Sequence, residues 1–242
     1  MTGRAKRGGW LRPGSPLRTA RSAAVAGIIF AVFLITALVL LRVSVPARPE
    51  VPGAWLTNPG RRAAVAIALN LIPFAGIAFL WFIGVLRDRI GDREDRLFAT
   101  VFLGSGLLFV GMLFVAAAVA GATIAASSPV LPSADVLRLS RNLTGSLLNV
   151  YTMRMAAVFT LTTVNIARRT AFTSRWLIVA GLACALALLV GIGISPWVEL
   201  LFPAWILALS LDVLIAAPAV PSPTEVHSLR GSPRSAVRPA GT

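Results

Sequence analysis

Six long apolar runs, each closed by a short stretch of charged or turn-forming residues, organise the chain. They are Ala23–Leu41, Ala63–Leu86, Leu97–Ala126, Leu147–Ala167, Trp176–Ile194 and Trp197–Ala217. An α-helix rises about 1.5 Å per residue, so a hydrocarbon core of about 30 Å takes about 20 residues to cross. Backbone N–H and C=O groups find no water there, and a helix satisfies them within one segment. The pattern predicts an all-α, polytopic membrane protein with six transmembrane helices spanning residues 22–217. The fourth run is the least apolar and contains Arg154. The sixth carries Glu199 near its start and Asp212 near its end.

Punctuation between the runs fixes their separation. Only Ser195-Pro196 divides the fifth from the sixth. Proline disfavours helix for the residue before it and suits the first turn of the helix after it, which predicts a tight helical hairpin. The third run exceeds one crossing, so tilt or a projecting Gly121–Ala126 end is expected. The first run is longer than the apolar stretch of a cleaved signal peptide and reads as a retained anchor helix. Val45-Pro46-Ala47 leaves cleavage as the alternative. Residues 1–21 form a basic tail without apolar periodicity, and residues 218–242 hold five prolines with Ser, Thr and Gly, a composition that buries no core.

Composition agrees and charge adds orientation. The 242 residues are 57% hydrophobic with a formal net charge of +14, and the mean hydropathy is +0.81. So apolar a chain makes the basic excess a membrane signal rather than a nucleic-acid one. Arginine and lysine in short loops favour the cytoplasm. Sixteen of the 23 basic residues fall in the two tails and the loops around 87–96 and 168–175, which places both termini in the cytoplasm. The basic N-terminal tail would also meet anionic lipid headgroups. A single cysteine excludes an internal disulfide framework, and a single histidine, His227, lies in the C-terminal tail. Catalytic residues, cofactors and a metal site are therefore not expected. Trp55, Trp81, Trp176 and Trp197 fall near the predicted membrane ends, where aromatic rings anchor.

Polar residues at membrane depth are the candidates for function, since a central arginine costs about 2.5–3.5 kcal/mol on insertion scales. In this topology Asn70 and Arg154 each lie about 10 Å from the outer end of their helices and Glu199 about 3 Å. An arginine side chain spans that difference. The expectation is an outer-half polar cluster of Asn70, Arg154 and Glu199, read first as a structural Arg154–Glu199 ion pair, with binding of a solute or ion by the cluster as the alternative. Arg154, Asn165, Tyr151 and Thr162 share one helical face, which reads as inward. Pro73 and Pro203 are expected to kink their helices near the same layer. Asp212, about 22 Å deep, should look to the inner end, to Asn165 or the cytoplasmic arginines.

Other constellations carry less. Asp92, Glu94 and Asp95 offer carboxylates for a divalent cation, but interleaved arginines at 87, 89, 93 and 96 make a salt-bridged hairpin turning at Gly91 the better reading. Gly104-Ser105-Gly106 resembles part of the serine loop of rhomboid-type proteases. Leu103 stands where that loop has glycine, and no membrane histidine exists to serve as base. Gly104, Gly111 and Ala118 form a small-residue stripe, and Gly181/Ala185 a second small pair, both suited to close helix packing or self-association. Cys184 reads as a small packing residue.

Arginine makes up 22 of the 23 basic residues, which points to a GC-rich bacterial genome. Through that composition and the Asn70-Leu71-Ile72-Pro73-Phe74 stretch, the chain is similar to uncharacterised multi-spanning membrane proteins of actinobacteria, a resemblance that implies no activity. The function expected is a non-enzymatic assembly, scaffolding or partner-stabilising role in the plasma membrane, alone or as a homo-oligomer and without nucleic acid. The alternative is a small-solute or ion transporter using the polar cluster.

Overall fold

A computed structural model describes residues 16–45, 53–90, 96–127, 130–170, 173–191, 195 and 197–216. The described residues contain helices and no strand. Seven α-helices follow in order: α1 (Pro16–Ser44), α2 (Pro59–Ile90), α3 (Arg96–Ala126), α4 (Ala134–Gly145), α5 (Met153–Thr170), α6 (Arg175–Val190) and α7 (Leu201–Ala216). Short 3₁₀ turns at Ala54–Thr57 and Val198–Leu200 lead into α2 and α7. Five helical stretches are long and apolar enough to cross a membrane. The shorter α6, at 16 residues, adds a sixth apolar helix.

Each apolar run is a helix, with one correction to the loops. The polar stretch after α3 is helical from Ala134 onward. α4, a π-helical turn at Ser146–Thr152 and α5 form one continuous helical rod that extends the fourth predicted run back to Ala134. The π register is held partly by Thr152, whose Oγ1 donates to the Leu147 carbonyl at 2.8 Å. Such turns re-aim side chains within a helix. The charged 91–95 segment, with Asp92, Glu94 and Asp95, lies outside the described residues, as do residues 1–15 and 217–242.

Six of the helices pack as a ring in chain order. α1 lies against α2, α2 against α3, α3 against α5, α5 against α6 and α6 against α7, and α7 returns onto α1. The middle of the ring is solid. Phe30, Phe79, Phe109, Phe159 and Phe202, one from each of five helices, are all fully buried. Their rings meet at centroid separations such as 4.5 Å for Phe30–Phe79 and 4.9 Å for Phe109–Phe202. Phe102 stacks on Phe159 at 4.8 Å. Aromatic rings bury large areas and gain further from edge-to-face contact, so this cluster anchors the bundle.

Glycine decides two close approaches. A Cβ at Gly181 would stand 2.6 Å from Val164 Cγ2 and 2.8 Å from the Trp205 ring, so this position joins α6 to α5 and α7. The ring itself is fixed by its Nε1–H, which donates to the Leu177 carbonyl at 3.1 Å. A Cβ at Gly106 would stand 2.5 Å from Ile83 Cδ1, which brings α3 close to α2. The Gly104/Gly111 stripe behaves otherwise. Neither glycine has a neighbour within 4 Å of where its Cβ would be, so the stripe does not pack helices within the protomer.

Candidate functional site

The two ends of the ring differ. At the end where α6 begins, Asp212 of α7 accepts hydrogen bonds from Thr173 Oγ1 at 2.7 Å, from Ser174 Oγ at 3.2 Å and from the Ser174 N–H at 3.3 Å. The carboxylate sits at the N-terminus of α6, where the helix dipole favours negative charge. Asp212 thus looks to the end predicted for it, but its partners are Thr173 and Ser174 rather than Asn165 or arginines. Asn165 Nδ2 is buried without a partner among the described residues. On the same side Arg169 stacks over Phe98, 5.0 Å from the ring centroid.

The opposite, distal end is where α1 finishes, α2 begins and α6 gives way to α7. A cavity of about 530 Å³ opens there, within the size range of small-ligand sites. Its floor is an ion pair. Arg42, the first charge after the uncharged run of α1, pairs with Glu199, the first charge of the last run. The same guanidinium donates to Asn149 Oδ1 at 3.1 Å. Asn149 lies in the π turn, so that irregular turn places an amide at the floor. Glu199 is 5% exposed, and its Oε2 has no partner among the described residues.

The walls are of two kinds. Leu38 and Leu41 of α1, Val65 of α2 and Leu148 present hydrocarbon. Arg138 and Arg141 of α4, with Thr123 and Ser140, present charge and hydroxyls. Thr123 and Ser140 hydrogen-bond each other and tie α3 to α4. Arg138 reaches Asp135 at 3.5 Å, and both side chains are mostly exposed, so that pair is weak. Three arginines and one carboxylate therefore line a space whose remaining wall mixes hydrocarbon with hydroxyl and amide groups.

The predicted trio of Asn70, Arg154 and Glu199 does not assemble. Glu199 takes Arg42 as its partner, in place of Arg154. Arg154 at the start of α5 and Tyr151 in the π turn are exposed, whereas Thr162 and the Asn165 amide further along α5 are buried, so only the second half of the predicted face turns inward. An exposed arginine side chain is long enough to snorkel toward a membrane surface, which avoids the cost of burial. Asn70 is also exposed and satisfies itself by donating Nδ2 to the Ala66 carbonyl at 2.8 Å. Neither lines the cavity. Pro203 lies in the first turn of α7, where an N–H has no helical acceptor anyway, so it begins this helix rather than kinking it. Pro73 lies on the exposed side of α2, and the helix continues through it. Ser105 is buried and bonded to the Phe102 carbonyl at 3.1 Å, a packing role.

Arg42 was the residue missed. The first charge after run one and the first charge in run six reach the same end of antiparallel neighbours, a signal that makes Arg42 a candidate, but only the rotation of the helices selects it over Arg154. The basic wall of α4 had no such signal, since its residues read as loop. No family model, curated protein or solved structure matches the chain. Fold and composition define it as a multi-pass α-helical membrane protein.

Proposed function

We propose that the chain is a non-enzymatic membrane protein that works by binding at its distal cavity, an accessory or assembly factor of the plasma membrane rather than a carrier. The aromatic centre carries this reading. Five fully buried phenylalanines fill the axis a solute would have to cross. A second void, between α1, α2 and α7 near the opposite end, measures about 10 Å³, room for one water at most. Close-packed interiors of this kind do not open without rearranging several helices together.

Flux through reconstituted vesicles tests the proposal. Vesicles containing the full chain should hold gradients of potassium, chloride, phosphate and small neutral solutes as tightly as empty ones. A saturable flux that disappears on blocking the cavity with Ala120→Phe would favour the transporter reading and overturn this one.

A further inference from the structure

The composition of the cavity wall narrows what it receives, an inference that rests on the binding role just proposed. We infer that the distal cavity is a site for an anionic phospholipid, with the phosphate held by the arginines and an acyl chain lying on the leucine-lined wall.

Charge gives the sign of the ligand. Arg42, Arg138 and Arg141 line the space with Glu199 as the one acid. Arg42 is committed to Glu199 and Asn149 yet stays 26% exposed at the floor. Arg138 has only a 3.5 Å, largely exposed pair with Asp135 to give up. Guanidinium groups are suited to phosphate because their planar N–H forks match two oxygens at once.

The apolar wall gives the rest of the ligand. A site for a free inorganic anion has no use for Leu38, Leu41, Val65 and Leu148, which bound the same space. Hydrocarbon beside the basic wall of Arg138 and Arg141 matches an amphiphile. Position agrees, because the floor lies where the uncharged run of α1 stops at Arg42. Apolar runs end where hydrocarbon gives way to headgroups, so the arginines stand at the level of lipid phosphates. The volume of about 530 Å³ takes a headgroup and part of one chain, with the remainder of the lipid left in the bilayer.

Native mass spectrometry of the detergent-solubilised full chain tests this with four probes: phosphatidylglycerol, phosphatidylcholine, glycerol phosphate and inorganic phosphate. The expected result is one retained phosphatidylglycerol, bound about tenfold more tightly than phosphatidylcholine, a difference of about 1.4 kcal/mol. The double variant Arg138→Gln/Arg141→Gln should erase the preference, and Arg138→Lys/Arg141→Lys, which keeps the charge, should retain part of it. Ala120→Phe should remove the retained lipid by filling the space. A monodisperse elution profile and an unchanged melting point show that each variant is folded, and Thr144→Phe replaces Ala120→Phe if that one is not.

Glycerol phosphate or inorganic phosphate binding as tightly as the lipid would overturn the inference in favour of a soluble anion. Equal retention of the two lipids, still lost in Ala120→Phe, would overturn the ligand class while leaving a binding role intact. No retention sensitive to Ala120→Phe with any probe would sink the inference and the proposed binding role together.

Discussion

Arg42 and Glu199 illustrate how a buried charge is kept at a membrane end. Glu199 is 5% exposed and holds one guanidinium, while Arg42 remains 26% exposed and shares its donors with Asn149. Removing one partner strands the other, which costs more than removing both. Glu199→Leu should therefore lower unfolding stability by about 2 kcal/mol, less than a fully buried pair would lose because Arg42 can turn to water. The double variant Arg42→Met/Glu199→Leu should recover most of that loss in a detergent thermal melt. Arg154→Leu makes the contrast and should change the melt by less than about 0.5 kcal/mol, since Arg154 is exposed and outside the cavity. A large loss for Arg154→Leu, or none for Glu199→Leu, would reverse the roles assigned to the two residues. The sequence pointed to an ion pair of Glu199 with Arg154, and the structure gives Glu199 to Arg42 instead. Depth along a helix can be counted from residues; rotation of one helix against another cannot.

Among the elements, the α4–α5 rod departs most from what the pattern of runs predicts. Its α4 part is polar on balance and far short of a membrane crossing, with Leu137 its one buried residue and Val136, Leu139 and Leu143 exposed at helical spacing, so a reading by long apolar runs passes over it. Ser133 precedes it and Asp135 lies in its first turn, a modest start signal that a strong membrane pattern overshadows. Packing on α3 and the Thr123–Ser140 contact supply what propensity lacks. At the other side of the ring, α6 depends on glycine. Gly181→Ala adds one methyl group 2.6 Å from Val164 Cγ2 and against the Trp205 ring. Overpacking of this kind costs about 1–3 kcal/mol, so the melting point should fall. The same change at Gly111, which has open space, should leave it unchanged. Small residues marked both positions in the sequence, and only the neighbours separate a packing glycine from an outward-facing one.

For the whole molecule, six apolar helices follow one another round a closed ring, and the arginine distribution predicts that both termini are cytoplasmic. That placement is accessible to labelling because the lone cysteine, Cys184, is buried. In intact cells a membrane-impermeant maleimide should modify Asp135→Cys, on the exposed side of α4. It should reach His227→Cys only after the membrane is permeabilised, and the unaltered chain should stay unlabelled. Modification of His227→Cys in intact cells would put the C-terminus outside and overturn the orientation. What the sequence by itself determined is the number of apolar helices, their order and the class of protein, because transfer of unbroken apolar runs into hydrocarbon is decided by composition and length alone. It also placed Glu199 and Asp212 at opposite ends, since rise per residue sets depth. Tertiary structure alone decided the aromatic plug, the pairing of Glu199 with Arg42 and the basic wall contributed by α4. Each of these depends on which faces meet, and a face turned by a single residue moves 100° around its helix.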